Sequence, residues 1–140
     1  MSFNIFLNFN GNCREAAEFY ARAFGQKMPE IMTYGEAPEL CNGEEIPDED
    51  KRLVMYCSLP AFGGSLMMAD CPSGFSLNVG NNVCLTVGFN NAEAVKGLFN
   101  ALKDGGIVDM DLQKTFWSDL FGMVTDKFGI IWQICMENDQ

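Results

Sequence analysis

LNFNGNCREAAEFYARAFG, residues 7–25, returns as VGFNNAEAVKGLFNALKDG at residues 87–105. At a constant offset of 80, Phe9 falls on Phe89, Asn10 on Asn90, Phe19 on Phe99, Ala21 on Ala101 and Gly25 on Gly105. Each copy runs from a strand-like stretch through Asn-rich capping positions into an amphipathic helix closed by glycine. A duplicated strand–helix unit in 140 residues implies two similar modules that bury their sheets, with a site between them.

Outward from the first copy, residues 3–9 alternate. Phe3, Ile5, Leu7 and Phe9 take the face expected to meet a helix, and Asn4, Phe6 and Asn8 the face expected to line a cavity. Asn12 and Glu15 have the spacing of a capping box, and Gly25 suits the position just past a helix end. Ala16, Phe19, Tyr20 and Ala23 form a helical stripe that reads as core packing. Residues 52–59 and 64–69 read as strands joined at Ala61-Phe62-Gly63, with room for another at 31–35. Asp70, Pro72, Ser73 and Gly74 then break the pattern.

The second copy follows the same plan. Residues 82–89 form its opening strand, with Val83, Leu85, Val87 and Phe89 toward the core and Cys84, Thr86 and Gly88 opposite. Val95, Leu98 and Leu102 stripe its helix before Gly105. Strands are expected near 107–112, 121–125 and 130–135, the last two turning at Asp126-Lys127-Phe128-Gly129. The expected fold is α+β: two βαβββ modules at about 1–72 and 81–140, with a linker near 73–80.

Composition narrows the function. Nine basic residues against 19 acidic ones give a net charge of −10, which repels phosphate backbones and anionic membranes. No stretch is apolar enough to span a bilayer, and no basic-then-apolar leader opens the chain, so a cytoplasmic protein is expected. Glu36, Glu39, Glu44, Glu45, Asp48, Glu49 and Asp50 crowd one segment with Pro38 and Pro47; without EF-hand spacing it reads as a solvated insertion. Six cysteines are scattered with no C-x-x-C pair, as buried small hydrophobes usually are. Histidine is absent. That removes Ser-His-Asp and Cys-His nucleophiles, imidazole metal sites and the usual general base near neutral pH.

LNFNGNCREAAEFYARAFG, SLMMAD at 65–70 and above all LQKTFWSDLFGMVTDKFGIIWQI at 112–134 resemble the vicinal oxygen chelate superfamily of glyoxalases, extradiol dioxygenases and fosfomycin and bleomycin resistance proteins. Within it the chain is similar to the PhnB-like branch, whose members often carry a demethylubiquinone methyltransferase label. The resemblance covers nearly the whole chain apart from the acidic segment. It implies one domain over residues 1–140, two curved mixed sheets enclosing a cavity with helices outside, and a homodimer. It also implies one divalent metal held by the opening and closing strands of each module. Those four places fall on Asn4, Met67, Cys84 and Gln133, with Asn4 open to a slip onto Ile5. Two amides, a thioether and a thiol are a poor set for a divalent ion, so no metal and no cofactor is expected there. Family members commonly carry a histidine where Tyr56 stands.

A small organic molecule is the expected partner, with no nucleic acid and no membrane. Phe6, Asn8, Tyr56, Ser58, Thr86 and Gln133 supply the expected cavity wall; Gln113, Thr115, Phe116, Trp117 and Phe121 are expected over its mouth. Two readings of Phe116, Trp117 and Phe121 stand side by side: ligand wall, or apolar plug between modules. Cys84 reads as an inert thiol, since no histidine can activate it. Asp70 and Asp126 read as strand terminators rather than a catalytic pair. The alternative function is a metal-dependent lyase, isomerase, transferase or dioxygenase drawing on Glu36 or Asp70. A methyltransferase is set aside, because no glycine-rich strand-to-helix turn precedes an acidic ribose-binding position.

Overall fold

The chain divides into two compact units, Met1–Asn78 and Val79–Gln140. The computed structural model describes residues 1–37 and 45–138; Glu39, Glu44, Pro38 and Cys41 of the acidic segment lie outside them. In the first unit, alternating apolar residues make β1 (Ile5–Phe9), β3 (Val54–Ala61) and β4 (Gly64–Asp70), with α1 at Cys13–Ala23 and a two-residue β2 at Met32–Thr33. The sheet order is β1-β4-β3-β2. β1 lies parallel to β4, whereas β4–β3 and β3–β2 are antiparallel. Phe62 (φ 50°) and Gly63 (φ 83°) turn β3 into β4 through two consecutive left-handed residues, the geometry that matches the twist of a tight hairpin.

The second unit repeats this order: β5 (Cys84–Phe89), α2 (Ala92–Leu102), β6 (Ile107–Gln113), β7 (Phe121–Thr125) and β8 (Ile131–Met136). Its sheet runs β5-β8-β7-β6, with β5 parallel to β8 and the other pairs antiparallel. The repeat therefore holds at the level of pairing. Even the closing bond recurs: Cys71 N donates to Phe9 O at 2.7 Å, and Glu137 N to Phe89 O at 2.6 Å.

Each helix covers one face of its own sheet. Cys13, Ala16, Ala17, Phe19, Tyr20 and Ala21 of α1 are buried, and α1 packs on β3 and β4 against Cys57, Leu59, Leu66 and Met68. From α2, Val95, Leu98, Phe99 and Leu102 are buried over β5, β7 and β8. Each such side chain stabilises the fold by roughly 1.5–3 kcal/mol through removal from water. Phe99 lies so close over β7 that a Cβ at Gly122 would sit 2.8 Å from its ring. A side chain there would have to push the Phe99 ring and Leu112 Cδ2 aside.

The helix starts differ from expectation. Asn12 makes no side-chain cap bond, so the expected capping box with Glu15 does not form. Asp70, at the end of β4, does the capping instead. Its Oδ1 accepts from Gly11 N (2.9 Å) and Cys13 N (3.0 Å), and its Oδ2 from Val54 N (2.9 Å). Parallel pairing explains this: Phe9 stands opposite Asp70, so the carboxylate arrives where the chain leaves β1 for α1. In the second copy Met136 stands opposite Phe89, and the local cap takes over, Asn91 Oδ1 accepting from Ala94 N at 2.8 Å. The exit of α1 is a Schellman close, with Gln26 N donating to Ala21 O, Gly25 N to Arg22 O, and Gly25 at φ 67°.

Two further corrections are local. Phe3 and Val83, expected on core faces, precede their strands and are 92% and 67% exposed. The strand expected at 31–35 shrinks to Met32–Thr33 because a 3₁₀ turn begins at Tyr34, whose hydroxyl donates to Asp70 O at 2.9 Å. Asp126 keeps the expected turn, its Oδ1 accepting from Phe128 N and Ile130 N, and additionally takes the Trp132 indole N–H on Oδ2 at 2.9 Å.

Asn91→Ala is expected to cost about 1 kcal/mol, while Asn12→Ala stays within about 0.3 kcal/mol. Asp70→Asn, which leaves a backbone donor facing an amide N–H, is expected to cost about 3 kcal/mol. Urea unfolding of the three variants checks the order; equal losses at Asn12 and Asn91 would sink the assignment of the cap to Asp70.

Candidate functional site

The face of each sheet turned away from its helix carries most of the side chains that the sequence singles out as site residues. In the first unit, strand register lines Phe6, Met67 and Ser58 across β1, β4 and β3, with Asn8 beside Ala69. Alternation puts Tyr56 on the same side as Ser58, and its ring centroid lies 6.3 Å from that of Phe6. Both rings are exposed. Asn4 lies just before β1, its Oδ1 accepting from Ser65 N (3.2 Å) and its Nδ2 donating to Ser2 Oγ (3.1 Å).

In the second unit one row runs Thr86–Gln133–Met123–Met110 across all four strands. Thr86 Oγ1 donates to Gln133 Oε1 at 3.2 Å. The adjoining row runs Gly88–Cys135–Phe121–Gln113. Phe121, expected over the cavity mouth, is 6% exposed and therefore buried. Trp117 stands edge-on to it at 5.3 Å between centroids, and Phe116 edge-on to Trp117 at 4.8 Å. Phe116 is almost wholly exposed and Trp117 about half.

The loop between β6 and β7 holds these rings by its own hydrogen bonds. Thr115 Oγ1 accepts from Ser118 N (3.1 Å), and Thr115 N donates to Ser118 O (2.9 Å). Buried Ser118 lies 2.7 Å through Oγ from Met136 O and 2.9 Å from Leu120 O, tying the loop to the end of β8. Thr115, read from sequence as a ligand group, is thus engaged in the turn that presents Trp117. Gln113 Nε2 donates to Asp111 O at 3.3 Å.

Beneath Trp117 opens a groove of about 850 Å³ at the carboxyl ends of β5 and β8. Gly88, Asn90, Ser118, Cys135 and Glu137 line it with Trp117. Of these only Trp117 stood out in the sequence. Gly88 was the available signal, since a glycine inside a strand marks a close approach. A Cβ there would overlap Cγ, Cδ and Oε1 of Glu137. The Cys135 thiol is pushed up from its ordinary value, first by burial and then by the Glu137 charge.

The metal implied by the fold family does not fit the donors present. Gln133 Oε1 already accepts from Thr86 and Asn4 Oδ1 from Ser65, leaving the Met67 thioether and the Cys84 thiol, with no carboxylate among the four. A divalent ion gains too little from such groups to shed its water. Among the described residues, no three His, Cys, Asp or Glu side chains cluster as a metal site. Nor is any helix there long and apolar enough to cross a membrane.

A sequence model for the family described as 3-demethylubiquinone-9 3-methyltransferase matches residues 1–135. Protein YjdN of Escherichia coli K12 is 32% identical over 149 aligned positions, covering all of this chain and 98% of YjdN. The crystal structure of PA1353 from Pseudomonas aeruginosa superposes with a TM-score of 0.86 at 32% identity, over 99% of both chains. A PhnB protein structure from Bacillus cereus, described as a putative 3-demethylubiquinone-9 3-methyltransferase, gives 0.72 at 25% identity, over 97% of this chain and 99% of that one.

Because its pKa is raised, the Cys135 thiol stays protonated further into alkaline pH than a free cysteine. Iodoacetamide at pH 8 should therefore modify it roughly several-fold more slowly than a free thiol, and Glu137→Gln should speed the reaction roughly two- to threefold. Peptide mapping by mass spectrometry reads both rates; a variant with unchanged rate would separate Glu137 from the thiol.

Proposed function

This chain belongs to the family described as 3-demethylubiquinone-9 3-methyltransferase, the PhnB-like branch of the vicinal oxygen chelate superfamily, and we propose that it binds a small organic molecule without a metal. The observation that carries this reading is the groove under Trp117, with its aromatic wall, amide and hydroxyl groups and a volume of about 850 Å³. That size and mixture of apolar surface with a few polar groups suit a compact organic ligand. The open face leading to it adds the hydrogen-bonded Thr86–Gln133 pair and Met123. Phe6, Asn8 and Tyr56 give the first unit an open face of the same amphipathic character.

Metal-dependent chemistry has less behind it. Asp70, one of the carboxylates on which it would draw, already accepts three backbone N–H bonds. The methyltransferase description is not carried over either: β5 passes to α2 through Asn90-Asn91, with no glycine-rich turn to cradle a nucleoside cofactor. Binding alone needs neither.

Native mass spectrometry of freshly purified protein, before dialysis or chelator, tests this reading. The expected species is a homodimer that carries a small organic adduct and no stoichiometric metal. Trp117→Ala should lower adduct occupancy at least fivefold without changing the assembly. One divalent metal per chain, in protein that loses its adduct when the metal is stripped, would overturn it.

A further inference from the structure

We propose that the groove at the ends of β5 and β8 is selective for an organic cation, an amine or quaternary ammonium on an apolar body, with Glu137 as counter-ion and Trp117 as aromatic wall. This rests on the binding reading above and names the ligand class for it.

Charge decides the sign. Among the described residues that line the groove, Glu137 supplies the only formally charged side chain. Among the described residues, no lysine or arginine forms an ion pair with the Glu137 carboxylate; Lys51 pairs with Asp48 and Lys96 with Glu93. Its place is set by two contacts. The backbone N–H of Glu137 donates to Phe89 O, and its side chain lies across Gly88, where any Cβ would displace it. The field of a chain with net charge −10 further concentrates cations and repels anions.

The aromatic partner is on the same groove. Trp117 stands perpendicular to Phe121, half exposed, with its loop pinned through Ser118 to Met136 O. An indole face held this way attracts a cation by its quadrupole, most strongly when water is partly excluded. Asn90 and Asn138 add amide oxygens that can accept from an ammonium N–H. Cys135 adds no second negative charge, because burial and Glu137 hold its thiol protonated. A bare divalent metal ion is disfavoured, since among the described residues no three His, Cys, Asp or Glu side chains gather there to replace its water. A bulky, weakly hydrated organic cation needs one counter-ion and an apolar wall, and the groove has both.

The duplicated half lacks the feature. Asn8 and Ala69 hold the paired positions of the first unit that Gly88 and Cys135 hold in the second, and Cys71 replaces Glu137 at the closing bond. The cation groove belongs to the second copy.

Three soluble probes of one shape test the inference: 2-phenylethylammonium, neutral 2-phenylethanol and anionic 3-phenylpropanoate. Binding is followed on the Trp117 indole N–H resonance of the full-length protein, assigned with Trp117→Phe. The ammonium is expected to bind at least tenfold more tightly than the other two. Glu137→Gln should bring the three within about twofold of one another. Glu18→Gln, the same charge change on α1, should leave the preference intact. Equal affinities in the unaltered protein would overturn cation selectivity while leaving small-molecule binding in place. No movement of the resonance by any probe at millimolar concentration would overturn the groove as a binding site. A loss in Glu18→Gln equal to that in Glu137→Gln would assign the preference to overall charge and overturn the role of Glu137.

Discussion

One buried carboxylate organises the first half of the molecule. Asp70 ends β4 and collects N–H groups from the turn after β1, from the first residue of α1 and from the first residue of β3. Unmet, each of those donors would cost about 1–3 kcal/mol in a buried setting. Collected on one carboxyl side chain, they lock the helix start, the central hairpin and the strand end at one point. The Tyr34 hydroxyl on Asp70 O brings in the segment after β2 as well. A helix N-terminus is a favourable place for a negative charge, so the capping and the electrostatics point the same way.

The second half meets the same demands by dividing them. Asn91 caps α2, Asp126 holds the β7–β8 turn and the Trp132 indole, and Ser118 joins the β6–β7 loop to the end of β8. With no carboxylate needed at the position of Asp70, the end of β8 is free to carry other chemistry. Met136 occupies that position, and Glu137 follows with its side chain over Gly88. Duplication supplied two copies of one scaffold; divergence at the strand ends left one copy stapled by Asp70 and the other with a groove.

Strand alternation and the internal repeat make the elements, their order and the faces of Phe6, Asn8, Tyr56, Thr86 and Gln133 readable from the sequence. Errors gathered at strand beginnings, where Phe3 and Val83 continue the pattern in sequence but have no partner strand to bury them. Asn12 misled for a similar reason. Its spacing to Glu15 is that of a cap, yet its side chain caps nothing, and a carboxylate from far along the chain takes the flanking N–H groups of Gly11 and Cys13 instead. Thr115 was legible as a polar residue near the aromatic loop, but its hydroxyl is bound to Ser118 in the turn itself. The missing histidine and the weak donor quartet were compositional facts that tertiary structure could not alter.

The sequence by itself determined the two βαβββ repeats, the two helices, the sharp Phe62-Gly63 turn and the poverty of metal donors, because periodicity, turn chemistry and residue type act over a few neighbours. Only the tertiary structure decided which groups meet across distance. Gly11 and Asp70 are 59 residues apart, and Ser118 and Met136 are 18 apart. Gly88 lies in β5 and Glu137 just past the end of β8, with a helix and two strands between β5 and β8. Their meeting follows from the parallel pairing of β1 with β4 and of β5 with β8. Register between distant strands is a property of the whole packed sheet, so no local pattern could place a carboxylate on a glycine or an aspartate on a helix end.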